Sequence, residues 1–196
     1  MKYKLTDETK ELGWRILHRI EALKDFGNVK AGDKGGWIEK EDNISQDGNC
    51  WVYDDACVCD DARVFGNARV FGDACVYGNA RVYDDAWVCD DACVCGDACV
   101  CGNARVYDDV WVFGDADIKS KDDIIWLTGL GSENRKTTIF RTKEGGVRVA
   151  CGCFSGDLAE FESRVKETHG DSKYAREYLA LIGLAKIHFE EDKEDT

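Results

Sequence analysis

Proline is absent from all 196 residues. That is unusual at this length and consistent with a chain whose backbone is mostly paired. No apolar run approaches the roughly 18 residues a membrane span needs, so no membrane partner is expected. The opening MKYKLTDETK lacks the apolar stretch of a signal peptide, and the expected location is a cytoplasm. Positive charge is in deficit, with a formal net charge of −13. A protein that tracks phosphates needs a basic stripe, so direct nucleic-acid binding is not expected. The acidity is compatible with a partner that has a basic groove, with metal ions, or with a role in solubility alone. The even cysteine framework of a small secreted domain is missing as well. There are 11 cysteines, nine of them between Cys50 and Cys101, which reads as reduced thiols at permissive positions.

What the chain does have is a six-residue cadence. Hydrophobic residues make up 44% and charged residues 33%, the balance of an ordered chain with one core, or one elongated core with small caps. From Val52 to Ile118 an aliphatic residue recurs at every sixth position: Val52, Val58, Val64, Val70, Val76, Val82, Val88, Val94, Val100, Val106, Val112 and Ile118. Four places after each of the first eleven comes an alanine, with Val110 the one larger exception, and between them lie Gly or Asp followed by Asn or Asp. Each hexad is a short strand plus a corner. Alternation sends Ala and Val inward and the neighbours of Val outward. Gly and Asn at the corner tolerate positive φ, Asp less well. Strands this short cannot form useful hairpins, but stacked as coils they pair their backbone with the coils above and below. The Ala/Val interior is too narrow for a ligand.

The pattern V-[YFC]-[GD]-[ND]-A-x resembles the hexapeptide-repeat left-handed β-helix family. That resemblance implies three hexads per triangular turn, with positions 18 apart stacked at about 4.8 Å. One face then stacks Trp51, Arg69, Trp87 and Arg105, flanked by Tyr53, Phe71, Cys89 and Tyr107. The second stacks Cys57, Cys75, Cys93 and Trp111, and the third Arg63, Arg81, Cys99 and Asp117. The corner after the first face carries Asp54, Asp55, Asp73, Asp90, Asp91, Asp108 and Asp109 and is the most acidic edge. Cys50 to Ile118 holds 14 acidic residues and four arginines, a net of −10.

The flanks differ. Residues 1–50 read as an N-terminal cap, with Arg15 to Leu23 a strand in preference to a short helix and Trp37-Ile38 followed by Ile44 a degenerate first coil. Residues 51–118 are the β-helix. Residues 119–196 read as a small α+β domain: strands at Ile124–Leu130, Thr137–Thr142 and Gly146–Cys151, a helix capped by Ser155 or Asp157 and ending at Gly170, and a second helix from Ser172 to Phe189. The tail from Glu190 reads as a solvated end. The fold class is thus mainly β, a left-handed parallel β-helix with a cap and a small C-terminal α+β domain. The segments Lys24–Glu39 and Cys151–Asp171 are similar to those of hexapeptide-repeat proteins of bacteriophages and prophages, which implies a bacterial host as the setting.

Four chemistries follow from these residues. Acyl transfer, common among left-handed β-helix proteins, needs a histidine base, but His18, His169 and His188 all lie outside the repeat and no long loop leaves it. Metal binding by the C-x-C pairs is weighed against cysteine as a small β-compatible filler, and filler is the preferred reading. No metal or other cofactor is expected. The acidic edge (Asp54, Asp55, Asp73, Asp90, Asp91, Asp108, Asp109) reads as a solvated corner or a partner-binding surface that imitates a nucleic-acid backbone. The face of Trp51, Arg69, Trp87 and Arg105 with Tyr53, Phe71 and Tyr107 suits cation–π contact and self-association as a dimer or trimer. The leading expectation is a non-catalytic phage-type protein that occupies a host protein, for instance a CRISPR nuclease. The alternatives are a sponge for a small nucleotide signal, a hexapeptide-type acyltransferase and a structural spacer.

Overall fold

In the computed structural model, which describes residues 1–190, every hexad from Trp51 to Ile118 is a two-residue strand followed by a corner. The strands pair in parallel, one coil on, in three sheets. Trp51, Arg69, Trp87 and Arg105 are consecutive partners on one face. Cys57, Cys75, Cys93 and Trp111 are partners on the second, and Arg63, Arg81, Cys99 and Asp117 on the third. The result is a parallel β-solenoid of about five turns. Its lumen is apolar: the alanines from Ala56 to Ala116, Val110 and the valines are all buried.

The backbone accounting of one coil explains why the period is six. Trp51, Tyr53 and Asp55 donate their amides to the carbonyls of Ala68, Val70 and Gly72 at 3.1, 2.8 and 3.1 Å, and the same offset recurs along the rod. At the corner, Ala56 N–H closes a turn onto Tyr53 O at 3.2 Å. The first corner residue has positive φ in every hexad from Gly48 to Gly114, seven times as glycine and five times as Asp54, Asp60, Asp84, Asp90 and Asp108. This differs from the expectation that Asn would take positive φ. Asparagine sits at the second corner position, where its side chain builds an amide ladder instead: Asn49 to Asn67 at 3.1 Å, Asn67 to Asp85 at 3.0 Å and Asn79 to Asp97 at 2.9 Å.

An L-residue in the left-handed region is strained by about 1 kcal/mol or more. The aspartates offset this with their carboxylates. Asp54 accepts the N–H of Gly72 at 3.3 Å, Asp60 that of Gly78 at 3.1 Å, Asp84 that of Gly102 at 3.3 Å and Asp90 that of Asp108 at 3.3 Å. Each acceptor serves the corner one coil further on.

The N-terminal residues belong to the same compact unit, Met1–Ser120. Strands β1 (Tyr3–Leu12), β2 (Arg15–Ala22) and β3 (Lys34–Ile38) form an antiparallel meander. β3 then pairs in parallel with the second face through Trp37–Cys57 and Ile38–Val58. The offset there is 20 residues, as it is for the bridge from Ile44 to Val64, because two extra residues between Ile44 and Val52 widen the first corner. Gly35 and Gly36 cross the solenoid end. A Cβ on Gly36 would lie 2.6 Å from both Ala56 O and Val52 Cγ1, so only glycine lets the chain pass this close. Below it Tyr3 donates to the carbonyls of Glu41 at 2.8 Å and Ile44 at 2.9 Å. Burial pushes its hydroxyl pKa up.

The second unit, Lys121–Thr196, is a four-stranded antiparallel sheet with two helices packed on it. The strands are Ile124–Leu130, Arg135–Arg141, Val147–Cys151 and Phe154–Gly156. The fourth corrects the expectation of three: the turn at Gly152, in positive φ, folds Phe154 back onto Cys151. Helix α1 (Leu158–His169) starts at Asp157, whose carboxylate accepts Glu160 N–H at 2.8 Å while Glu160 accepts Asp157 N–H at 2.9 Å, and it stops at Gly170. Helix α2 (Lys173–His188) is capped by Ser172. Ile139, Val149, Phe161, Val165, Tyr178, Leu181, Ile182 and Ala185 fill the core between sheet and helices. The acidic tail after Glu190 lies outside the described residues.

Two outcomes are expected in urea denaturation. Gly36→Ala should lower stability by roughly 1–3 kcal/mol through overpacking at the end of the rod. Asp84→Ala, which keeps the strain and loses the cap, should be about 1 kcal/mol less stable than Asp84→Gly. Equal stability of the two Asp84 variants would contradict the corner account.

Candidate functional site: the outer walls of the solenoid

The first face is only partly the open wall that the repeat implies. Trp51 is 1% exposed, because Tyr3 and Phe26 of the N-terminal segment pack edge-on against it with ring centroids 6.0 and 5.3 Å away. It is therefore removed from the contact face. Further along, Trp87 is held between two guanidinium groups, Arg69 at 5.5 Å and Arg105 at 4.7 Å from its ring, with Phe71 edge-on at 5.8 Å. Tyr53 and Phe71 are half-buried, whereas Arg105 and Tyr107 are exposed. The ladder satisfies its own cation–π contacts within the chain. A base stacking on Trp87 would have to displace an arginine.

The acidic corner divides into two columns with different roles. Asp54 and Asp90 are turned toward the corner amides of the next coil, so this column serves the fold. The second column is Asp55, Asp73, Asp91 and Asp109, all exposed, and its members follow one another by one coil, since Asp55 N–H meets Gly72 O and Asp73 N–H meets Asp90 O. Asp55 is engaged by Trp37 Nε1 at 3.1 Å and by Arg19 at 3.5 Å, contacts that hold its carboxyl pKa low, the Trp37 hydrogen bond most of all. Asp108 is a left-handed corner residue like Asp90.

The second face carries the thiols. Cys57 and Cys59 are buried beneath Leu17, with Leu12 and Trp37 beside them, and further along the rod Cys93 is buried too, while Cys75 and Cys95 are half-buried. Burial raises the Cys59 thiol to about 12. Cys57 and Cys75 share a hydrogen bond, which raises Cys57 and lowers Cys75. Cys93 and Cys95 do the same, with Cys93 raised and Cys95 lowered. In each pair the anion that forms first is stabilised by the proton its neighbour keeps. The hidden signal in the sequence was the pairing itself, an i, i+18 or i, i+2 cysteine on one face.

Among the described residues one group of three potential metal ligands converges, Glu39, Cys59 and Asp60. Arg15 grips Asp60 with both carboxylate oxygens engaged, at 2.7 and 2.8 Å. Asp60 also accepts Gly78 N–H, and Glu39 accepts Asp60 N–H at 2.6 Å. Two of the three groups are thus already engaged, Asp60 by a guanidinium and Glu39 by a backbone amide. The histidines are dispersed: His18 lies 3.2 Å from Thr6 O in the cap, His188 lies 3.0 Å from Asp122 O, and His169 stacks on Tyr178. None lies on the repeat. No helix among the described residues is long and apolar enough to cross a membrane.

Thiol reactivity tests the paired cysteines. With limiting iodoacetamide and peptide mapping, exposed Cys153 and the pKa-lowered Cys75 and Cys95 should be alkylated before Cys57, Cys59 and Cys93. Because a lowered pKa preserves thiolate as pH falls, the lead of Cys75 and Cys95 over Cys59 should widen from pH 9 to pH 7. Uniform labelling would contradict it.

Comparison with known proteins matches the repeat. Residues 62–76, 74–90 and 98–114 fit the family model described as the YdcK β-solenoid repeat. A curated relative from Escherichia coli (strain K12), called "Uncharacterized acetyltransferase YdcK", is 37% identical over 65 residues, which cover 29% of this chain and 20% of the relative. The chain thus spans about a fifth of that relative's length. With its hexads, its coil-by-coil pairing and these matches, the chain is a hexapeptide-repeat β-helix protein.

Proposed function

We propose that the protein is a non-catalytic binding protein whose solenoid occupies a basic groove on a partner protein. The observation that carries this reading is the exposed column of Asp55, Asp73, Asp91 and Asp109 on a rod of net charge −10. Coil spacing places neighbouring members about 4.8 Å apart, a few-ångström repeat like that of nucleic-acid phosphates. In water, two unit charges at that spacing repel by about 0.9 kcal/mol before screening. A column kept at a cost in stability is what a contact surface would look like, whereas a merely soluble edge could alternate signs. A phage-encoded counter-defence protein that blocks a nuclease such as a CRISPR effector is the concrete version of this reading. Self-association into a dimer or trimer would use the exposed Tyr107 and Trp111, at 41% and 56% exposure.

The second reading is acyl transfer, favoured by the printed name of the Escherichia coli relative. It rests on repeats that scaffold many activities, and function lives in sites rather than in folds. A structural spacer needs neither surface.

The triple variant Asp73→Asn, Asp91→Asn, Asp109→Asn separates these readings. It should unfold at a higher temperature than the parent, by about 2–6 °C, yet lose the partner that the parent retains from a bacterial lysate. Retention of the same partner by both proteins would overturn the acidic-column reading. Turnover of acetyl-coenzyme A by the purified chain would establish the enzyme reading in its place.

A further inference from the structure

The C-terminal unit contains a cavity of about 670 Å³, within the range of small-molecule sites. Its floor is apolar and aromatic. Phe161, Val165 and Tyr178 are buried there, with the Phe161 ring 5.1 Å from Phe154 and 5.5 Å from Tyr178. His169, at the last turn of α1, stacks on Tyr178 with centroids 5.7 Å apart and planes 29° from parallel. The polar atoms of the floor are already used: Tyr178 donates to Leu130 O at 3.4 Å, Cys151 Sγ lies 3.8 Å from the Tyr178 hydroxyl, and Thr137 Oγ1 donates to Cys151 Sγ at 3.2 Å.

The rim is cationic, against the charge of the chain as a whole. Arg135 and Arg164 both line it, and Glu133 is the one carboxylate on the wall. The Arg135 backbone pairs with Leu130 in the sheet, but among the described residues its guanidinium has no ion pair or hydrogen bond. Its side chain lies against the turn at Gly152, where a Cβ would collide with the guanidinium. The missing side chain of Gly152 leaves the room that the Arg135 guanidinium occupies. Among the described residues Arg164 pairs only with Glu167, at 3.7 Å on an exposed helix surface, a pairing that contributes little. Two planar forks with donors to spare, above an aromatic floor, match a ligand that carries a flat ring and an anionic group.

We propose that this cavity binds a small planar anion, its ring against Phe154, Phe161 and His169 and its carboxylate or phosphate held by Arg135 and Arg164. Every residue that lines the cavity belongs to the second unit.

Calorimetric titration of the full chain with adenosine 5′-monophosphate and, separately, indole-3-acetate tests it. Saturable binding of at least one probe is expected below about 1 mM, and the preferred probe tells phosphate from carboxylate. Arg135→Gln and Arg164→Gln should each weaken that binding about tenfold or more, with helical circular dichroism unchanged. Arg176→Gln, on the exposed surface of α2 and outside the cavity, should leave it unaltered. Phe154→Ala should weaken it while sparing the arginines. The proposal is overturned if neither probe saturates, if the Arg135 and Arg164 variants bind like the parent, or if Arg176→Gln weakens binding equally.

Discussion

The rod depends on one recurring hydrogen bond, from the amide of an outward residue to the carbonyl 17 positions later. It is made at Trp51, Tyr53 and Asp55, and again on every later coil up to Cys101, where the acceptor is Ile118 O at 2.8 Å. Each such bond contributes only about 1 kcal/mol net, but leaving a buried amide unmade costs more. The six-residue period is the condition for making all of them, because it alone returns Val and Ala to the lumen as the next strand arrives. The two-residue strands have little pairing within one coil, so neighbouring coils stabilise one another.

That constraint decides what the surface residues can be. A left-handed corner in every hexad demands glycine or a residue that offsets the strain, and aspartate does so by accepting the amide of the corner above. Part of the acidity of the chain is therefore structural. The remaining part, on the second corner position, is not required by the backbone: asparagine serves there equally well, as Asn67 and Asn79 show with their side-chain ladders. The choice of aspartate over asparagine at this second position is thus separable from the backbone that builds the corner. The same logic covers the first face, where Arg69 and Arg105 bracket Trp87 and make the wall self-sufficient.

The solenoid was legible because its signal is repeated twelve times and each repeat states the same inward pair. Face membership followed by arithmetic from the unbroken spacing. What stayed hidden were contacts between segments far apart in the chain. Nothing near Trp51 announces that Tyr3 and Phe26 cover it, and β1 lacks the alternation that marks an amphipathic strand, since Lys4, Asp7 and Glu8 follow the hairpin's exposed side rather than a core. Glycine takes the corner conformation as expected, but the share expected of asparagine falls to aspartate, because propensity is a statement about residues in isolation, whereas Asp54 and its equivalents gain a partner only in the stack. The C-terminal elements were readable from their caps at Asp157, Gly170 and Ser172. The cavity was not, as Arg135, Gly152, Arg164 and His169 converge only once the sheet and helices pack.

The coil period can be tested by removing chain. Deletion of residues 73–90 takes out one complete coil and joins Gly72 to Asp91, which keeps every later valine in phase. Deletion of the shorter stretch 73–87 joins Gly72 to Val88 and puts the following residues out of phase with the lumen. Cooperative thermal unfolding should survive the larger deletion and be lost or strongly weakened in the smaller one. If the shorter deletion proves the more stable of the two, the polypeptide is not held together by 18-residue coils.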